Sequence, residues 1–355
     1  MDIEFHYYMT YLIVVRAGFA PAEAAIIAQS AQEIDDNHIP ITVSAGTPYA
    51  YESVLSQTMD ILHPKHDGRI YPIFHFIPGE PEAPSARRHD GLMSDWTTTP
   101  NSPLANEMMD TALKSSSLHR IGASAHAYAD TWAHQNFLGK DDAYNEMPNE
   151  TRVQEVEGLF SLMRIGHALA GHQPDIPGLI WNDDRLVEPK IDNTSRFMDA
   201  ADQLYRKLAT YKKPAILPAE LNDAAAVLVG DLRADIGPSS MTSHQQDPTR
   251  ISRYRQRALR PAYGGVAIPE YQEGSWADAA FIEQRSDLGQ RIGIFLEEKA
   301  GTAGDALGFG TRIRCTWKDP VHYQDTDWWK FQEAVRSHLA ECWGVLAARL
   351  LDLPK

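Results

Sequence analysis

The chain has 355 residues, with 33 Lys and Arg against 48 Asp and Glu and a formal net charge of −15. This length suits one large domain or two ordinary ones, and the acidity argues against duplex nucleic acid as a partner and against electrostatic docking on an anionic membrane. Its two cysteines, Cys315 and Cys342, exclude a disulfide scaffold and a cysteine-rich zinc module.

The first residues of the chain predict a helix of the mature protein and no cleavable signal peptide. Residues 1–6 carry two acids and no Lys or Arg, whereas a signal peptide begins with positive charge. Tyr7–Ala17 has apolar residues at three- and four-residue steps, and no apolar stretch in the chain has the length of a membrane span. We therefore expect a cytoplasmic protein, or one exported by a non-classical route.

Helical periodicity dominates the rest of the chain and predicts a mainly α fold. The predicted helices are Pro21–Ile34, Tyr51–Leu62, Leu104–Phe137 (as two helices), Val153–Ala170, Ser195–Thr210, Ala219–Leu232 and Trp328–Leu353. Two segments, Ile70–Ile77 and Arg312–Trp317, are candidates for short strands. Residues 237–274 are rich in Pro, Ser, Gln and Arg, and predict a long connection or a poorly packed insert.

One short motif, His-Ala-Tyr-Ala-Asp-Thr-Trp-Ala-His over residues 126–134, predicts a metal site. Each helical residue turns about 100°, so His126, Asp130 and His134 project from one face. Two imidazoles and a carboxylate on one stripe suit zinc, and the two carboxylate oxygens allow Asp130 to bridge two ions. A polar helix face with hydrogen-bonded histidines is the alternative. Trp132 and Phe137 lie off the stripe and are predicted to be core residues.

The same half of the chain supplies further candidate ligands, since 11 of its 14 histidines lie at or before His172. These candidates are His6 before the first helix, Asp35 and Asp36 at the end of the second, His75 among apolar residues, and His167 and His172 near a helix end. His167 and His172 can both ligate only if Gly171 ends the helix. The alternatives are capping for the Asp pair, a hydrogen-bonded core position for His75, and loop contacts for His172 and Asp175.

The order of these residues resembles that of the zinc-dependent phospholipase C and single-strand nuclease superfamily, an all-helical fold with a three-zinc cluster. The resemblance covers about residues 1–180, and the layout looks closest to leaderless metallophospholipases C of Gram-negative bacteria that hydrolyse phosphatidylcholine. It implies a multi-helix bundle of the zinc phospholipase C type with a C-terminal extension. Residues 1–185 would be the catalytic domain, and 186–355 a helical and irregular region packing on it.

The resemblance also implies a role for each candidate ligand. Asp35 or Asp36, with His75, His126 and Asp130, would hold one zinc. Asp130 would bridge to a second ion, held by His6 and the α-amino group of Met1. His134, His167 and either His172 or Asp175 would hold the last. In the family, the N-terminal residue is a Trp, whereas this chain has Met1. The family's last two ligands lie four residues apart, and this chain has Gly171 at the position that this spacing requires. Because of these two differences, the expected cofactor is two or three Zn²⁺ ions.

The function that this resemblance implies is a zinc-dependent phospholipase C. It would hydrolyse glycerophospholipids, phosphatidylcholine foremost, to diacylglycerol and a phosphorylated head group by metal-activated water. The unligated member of the pair Asp35 and Asp36 would be a catalytic general base or acid. Two alternatives stay open: a single-strand-specific zinc nuclease or nucleotidase, and a non-enzymatic, metal-stabilised helical interaction protein.

The expected partners are a phospholipid substrate and, transiently, a membrane surface. Aromatic candidates for binding a choline-type head group are Tyr7, Tyr8, Tyr128 and Trp96, with core packing as the favoured alternative. The helix that begins at Trp328 either packs on the core or settles at a lipid interface. The basic run over residues 250–260 is either a solvated loop or a contact with lipid phosphates or a partner.

Overall fold

The computed structural model describes residues 1–58, 64–148, 164–282 and 313–349, and the protein is mainly helical over these ranges, as predicted. A π-helix over Glu4–Met9 leads directly into the first α-helix. The α-helices are α1 (Thr10–Arg16), α2 (Pro21–Asp36), α3 (Pro64–Phe74), α4 (Pro103–Lys114), α5 (Leu118–Ala133), α6 (Asn193–Lys212), α7 (Pro218–Ile236), α8 (Pro248–Ala258), α9 (Ser275–Ala280) and α10 (Asp327–Arg349). None of these helices combines the length and apolar character needed to cross a membrane.

The described residues also form short strands: β1 (Ile41–Val43), β2 (Tyr51–Glu52), β3 (Ile180–Asn182), β4 (Lys190–Asp192), β5 (Phe281–Ile282) and β6 (Ile313–Trp317). One sheet has the order β2-β1-β6-β5, in which β1 and β6 are parallel and the outer pairs are antiparallel. The strands β3 and β4 form a separate antiparallel pair. Val43 lies opposite Cys315, so the larger sheet joins segments from both ends of the chain.

Helix α5 is the centre of the hydrophobic core and packs against α2, α4, α6 and α10. Gly122 brings α2 especially close, since a Cβ added there would lie 2.4 Å from the Ile27 carbonyl oxygen and 2.5 Å from Ser30 Cβ. This close approach carries the polar stripe of α5 against the C-terminal half of α2, where Asp35 lies.

The same core includes residues on both sides of the predicted boundary near residue 185. The rings of Phe5 and Phe197 pack edge to face with their centroids 5.7 Å apart. Helix α10 packs against α3, α4 and α5 through a buried face that includes Phe331, Val335 and Leu346. Its apolar face therefore belongs to the core and is not available to a lipid surface.

Two predicted elements differ from the structure. Residues Tyr51 and Glu52 of the predicted helix Tyr51–Leu62 form β2, because they pair with β1 and the Tyr51 hydroxyl donates to Glu333; residues 53–58 are irregular, and 59–62 lie outside the described residues. The candidate strand Ile70–Ile77 is wrong, because α3 extends to Phe74. Ile70, Ile73, Phe74 and Ile77 are buried and recur at helical spacing.

The segment 237–274 was expected to be a long connection or a poorly packed insert, and this is also wrong. It contains α8, capped by Asp247, whose side chain accepts from the backbone of Thr249 and Arg250. Tyr254 is completely buried in the core, and Arg257 is buried against Asp235. The basic composition suggested solvation, but Arg250 and Arg257 of α8 are neutralised by carboxylates from other helices.

The remaining predicted elements, apart from the helix Val153–Ala170, follow the structure closely. The long pattern Leu104–Phe137 divides into α4 and α5, and the candidate strand Arg312–Trp317 is β6 from residue 313 onward. Most of the predicted helix Val153–Ala170 lies outside the described residues, and its end, Ala168–Ala170, is a single 3₁₀ turn. The predicted helix at Trp328 is α10, and residues 350–353 of that prediction also lie outside.

Candidate metal centre

Asp130 lies at the middle of the polar stripe of α5 and has a histidine one turn away on each side. His126 Nε2 is 3.1 Å from Asp130 Oδ2, and His134 Nδ1 is 3.4 Å from the same oxygen. All three side chains are buried. The stripe predicted from helical periodicity therefore faces the interior, where other elements bring further His and Asp side chains to it.

The first group of potential ligands combines α5 with the ends of α2 and α3. It consists of Asp35 Oδ1, His75 Nδ1, His126 Nε2 and Asp130 Oδ2. Five of the distances between these atoms lie from 3.1 to 3.7 Å. Zinc bound at about 2.0–2.2 Å in a tetrahedron holds its ligands about 3.3–3.6 Å apart. The four atoms thus have the spacing of one tetrahedral site.

The second group lies on the other oxygen of Asp130. The amino group of Met1 is 2.5 Å from Asp130 Oδ1, and His6 Nε2 is 3.2 Å from it. The imidazole rings of His6 and His126 stack with centroids 3.8 Å apart. Because Oδ1 and Oδ2 face different sets of ligands, Asp130 has the geometry of a bridging carboxylate.

The third group contains His134, His167 and Asp175. His134 directly follows α5, His167 directly precedes the 3₁₀ turn Ala168–Ala170, and Asp175 ends the 3₁₀ turn Gln173–Asp175. His134 Nε2 is 3.1 Å from Asp175 Oδ1, and His167 Nε2 is 3.5 Å from Asp175 Oδ2. The Met1 amino group is 3.3 Å from Asp175 Oδ1, so the second and third groups adjoin. The ring of Phe76 stacks on His134 at 4.6 Å between centroids.

The histidines are oriented by backbone carbonyl groups. The ring nitrogens that bond to a carbonyl oxygen are His75 Nε2 to Ser56 (3.0 Å), His126 Nδ1 to Ala31 (2.8 Å), His134 Nδ1 to His75 (2.8 Å) and His167 Nδ1 to Gly171 (2.8 Å). A carbonyl can only accept, so each of these nitrogens carries the proton and the other nitrogen, in a neutral ring, points a lone pair at the groups above. This orientation is the usual one for histidines that bind a metal.

Several buried polar atoms at the centre lack a hydrogen-bond partner. Both ring nitrogens of His6 and Oδ2 of Asp130 are of this kind. Leaving such atoms unpaired costs roughly 1–3 kcal/mol each, and more for a charged group. Cations bound by His6 Nε2 and Asp130 Oδ2 would remove that cost for these two atoms, so the residues present fit a metal.

The ionisation of His6, His167 and Asp130 also suits metal binding. Burial disfavours the charged form of the Met1 amino group, but Asp130 and Asp175 raise its pKa to about 11, so this group must lose a proton to bind a metal. Burial, reinforced by nearby positive charge, holds the pKa of His6 well below its usual value, and burial lowers the pKa of His167 to about 4. Burial opposes ionisation of Asp130, but the surrounding imidazoles and the Met1 amino group hold its pKa well below the ordinary range. Neutral imidazoles and an ionised carboxylate are the forms that ligate zinc.

Two predicted site residues lie outside these groups. Asp36 accepts hydrogen bonds from the Tyr271 hydroxyl and from Gln32 Nε2, because it points about 100° away from Asp35 around α2. His172 is exposed, because Gly171, with φ +57°, ends the 3₁₀ turn and sends the next side chain outward. The sequence left open whether Asp35 or Asp36, and whether His172 or Asp175, would be a ligand. In the structure, Asp35 and Asp175 reach the centre.

The aromatic candidates for a head-group site are mostly core residues. Tyr7, Tyr8 and Tyr128 are buried, and the hydroxyls of Tyr7 and Tyr128 donate to Pro269 O and Asn101 Oδ1. Trp96 is half-buried, with the Lys140 ammonium 5.2 Å from its ring centroid. The predicted core positions of Trp132 and Phe137 are confirmed.

Sequence reasoning did not identify Gly166 as a residue that supports the centre. Gly166 has φ +54°, and a Cβ there would lie 2.2 Å from Phe76 Cζ. It therefore allows the loop that carries His167 to pass directly over the ring that stacks on His134. The glycine immediately before His167 in the sequence is the signal that could have indicated this close packing.

A family model described as "Family of unknown function (DUF6765)" matches residues 1–346. No curated protein and no solved structure matches the chain.

Proposed function

We propose that this chain, which belongs to the family of unknown function (DUF6765), is a zinc-dependent phospholipase C that hydrolyses phosphatidylcholine and related glycerophospholipids. The observation that carries the proposal is the convergence of three groups of ligand atoms on Asp130 and its neighbours. These groups contain residues to which the resemblance to the zinc phospholipase C and nuclease superfamily assigns zinc ligands.

Each group would hold one zinc ion. The first site would use Asp35, His75, His126 and Asp130. The second would use Met1 and His6 with the other oxygen of Asp130, and the third His134, His167 and Asp175. Zinc, when bound, supplies a Lewis acid that polarises phosphate oxygens and acidifies water. The carboxylates would offset the ionic charge, and the backbone carbonyls would keep the imidazoles in their ligating orientation.

Exposure of the candidate ligands indicates where a substrate would enter. The side chains of Asp35 and His167 are 29 % and 18 % exposed, whereas those of His6, His126 and Asp130 are almost completely buried. Solvent therefore reaches the centre beside Asp35 and His167. A catalytic zinc site needs such an open position, whereas a purely structural site is closed by protein ligands.

An acidic protein can bind an anionic phosphodiester if bound cations offset the negative charge at the binding site. Asp35, Asp130 and Asp175 lie together, and divalent ions bound to them would offset their negative charge where the phosphate must approach. The chain's own contribution is to hold Asp130 and Asp175 in a buried setting. There they are screened less than at the surface.

The test measures bound metal and hydrolysis together. Zinc content is determined for the wild type, His126→Ala and Asp130→Asn, and each is assayed on phosphatidylcholine and on single-stranded DNA. We expect both variants to lose metal and more than about a hundredfold in turnover, because even outer partners of metal ligands contribute about 10–100-fold. His119→Ala is a matched control, since His119 lies about two turns earlier on α5 and pairs with Asp327 instead.

The outcomes separate the alternatives. Hydrolysis of DNA without hydrolysis of phosphatidylcholine would replace the phospholipase by the nuclease. Bound metal without either activity would favour the structural interpretation. Absence of metal from the wild type, or unchanged activity in both variants, would reject the proposal.

A further inference from the structure

Arg250 of α8 makes a buried ion pair with Glu4, at the start of the chain. Arg250 Nε donates to Glu4 Oε2 at 2.8 Å, and Nη2 donates to Oε1 at 2.7 Å. The two side chains are almost inaccessible to solvent. The pair is bidentate, which fixes orientation as well as distance. It ties α8 to the π-helix that carries His6.

The loop before α8 adds two further contacts to the same segment. The backbone N–H of Asp247 donates to Glu4 Oε1 at 3.1 Å, and that of Gln246 donates to Asp2 Oδ2 at 3.4 Å. Arg250 Nη1 donates to Ser243 Oγ at 3.0 Å and so braces the loop itself. Residues 243–250 therefore form hydrogen bonds with the side chains of both Asp2 and Glu4.

In the sequence, Asp2 and Glu4 lie between the candidate ligands Met1 and His6. Met1 precedes Asp2, and His6 follows Glu4 by two positions. The backbone N–H of Asp2 also donates to the carbonyl of Asp175 at 3.2 Å. A shift of Asp2 or Glu4 would move Met1 and His6 away from Asp130, which they approach within 2.5 and 3.2 Å.

We propose that Arg250, Glu4, Asp2 and the loop 243–247 form an N-terminal clamp that positions Met1 and His6 against Asp130. The clamp residues touch no candidate ligand atom, so they are positioning residues. The proposal rests on the proposed function for the identity of the ion, and it gives the second half of the chain a part in the metal centre.

A buried arginine on the same helix provides the control. Arg257 pairs with Asp235 and Asp231 of α7 and has the same degree of burial as Arg250. Removing either arginine leaves a buried carboxylate unpaired, which destabilises the fold. Of these two arginines, Arg250 is the one that pairs with the segment containing Met1 and His6, so its loss and not that of Arg257 should affect the second metal site.

The experiment compares Arg250→Gln, Glu4→Gln and Arg257→Gln with the wild type, all as full chains. One readout is the number of zinc ions retained per chain. The other is the rate of amide hydrogen exchange over residues 1–9, which does not depend on hydrolysis. For Arg250→Gln we expect loss of about one zinc ion and at least about tenfold faster exchange in this segment, because local opening is set by local interactions. Arg257→Gln should retain its zinc and the slow exchange.

Glu4→Gln keeps a hydrogen-bond acceptor while removing the charge, and covers the case in which Arg250→Gln does not fold; we expect it to lose zinc in the same way. Unchanged exchange over residues 1–9, or full zinc content in both clamp variants, would overturn the clamp. Equal zinc loss in Arg257→Gln would do the same, because it would reduce the effect to general stability. A wild type without metal would reject the proposed function and the clamp's part in a metal centre.

Discussion

His75 Nδ1 and His126 Nε2 lie 3.3 Å apart, while the other nitrogen of each ring donates to a backbone carbonyl. In neutral imidazoles, the two facing nitrogens are therefore both acceptors. Two lone pairs at this distance repel each other unless a cation lies between them. Burial lowers the pKa of both histidines, which makes a proton a poor candidate for that cation. Asp35 and Asp130 complete the set of atoms that a metal would bind.

Removing the metal should therefore destabilise the protein. A ligand present at a hundred times its dissociation constant stabilises the folded state by about 2.7 kcal/mol. We expect treatment with a strong chelator to lower the melting temperature of the wild type by at least several degrees, measured calorimetrically. His126→Ala, with a damaged first site, should show a smaller decrease. Identical melting temperatures with and without chelator would contradict a metal in the folded core.

Extending the chain by one residue before Met1 should remove the second site. The Met1 amino group is buried beside Asp130 and Asp175, and an amide nitrogen in its place has no lone pair to donate. We expect the extended protein to bind about one zinc ion fewer, as measured by elemental analysis, and to turn over more slowly. A residue added after Lys355 is the control. Equal zinc content and turnover in both extended proteins would exclude the amine as a ligand.

The two histidines near Gly171 should behave differently. His167 Nε2 faces Asp175, whereas His172 is exposed. We expect His167→Ala to lose zinc from the third site and to reduce hydrolysis more than about tenfold. The reason is that even residues that only hydrogen-bond to a metal ligand contribute about 10–100-fold. His172→Ala should match the wild type in both measurements. Loss of zinc from His172→Ala instead would show that the turn at Gly171 is arranged differently in solution.

Gly166→Ala should destabilise the protein by more than backbone strain alone. A non-glycine residue at positive φ costs about 1–3 kcal/mol, and at Gly166 the added Cβ would also overlap Phe76. Gly46→Ala, with φ +77° and no atom within 4 Å of its added Cβ, isolates the backbone part. In urea unfolding we expect Gly166→Ala to lose at least about 1 kcal/mol more than Gly46→Ala. Equal losses would mean that Phe76 moves aside without cost.

His338 of α10 should contribute to acid sensitivity. Burial, with a smaller effect from the Arg120 charge, lowers the pKa of this imidazole to about 3, and its ring contacts the Cys342 thiol. A depressed histidine pKa favours the folded state above pH 6.5, and this contribution is lost as pH falls from 6.5 towards 3. At pH 5 the loss is about 2 kcal/mol. We expect His338→Gln to show a correspondingly smaller decrease in unfolding free energy between pH 7 and 5. Parallel curves for the two proteins would show that His338 titrates normally.

Local periodicity was sufficient to predict the central part of the site. His126, Asp130 and His134 share one helix, so the 100° turn per residue determines their common face whatever surrounds it. The same reasoning gives α6 and α7 within a few residues of their observed ends, and the outer limits of the pair α4 and α5. These elements are long and strongly periodic, which is where a pattern carries most information.

Features that depend on distant contacts could not be predicted in this way. Tyr51 joins a strand because β1 lies beside it, and its own neighbours in sequence favour a helix. The choice between His172 and Asp175 depends on the backbone at Gly171, which no ligand spacing encodes. Arg250 pairs with a residue 246 positions away, so its basic neighbours suggested a solvated loop or a lipid contact. Each of these outcomes is decided by tertiary packing.

The pairing of Glu4 with Arg250 has a consequence for how the protein is made. A chain emerging from the ribosome presents Met1 and His6 before the other candidate ligands, which follow up to Asp175. Arg250, the partner of Glu4, is still absent at that stage, and so is β6, which pairs with β1 across some 270 residues. Contacts of such long range form late, because their loop-closure entropy must be overcome first. Met1 and His6, the candidate ligands that are synthesised before the others, are thus among the last to be fixed in position.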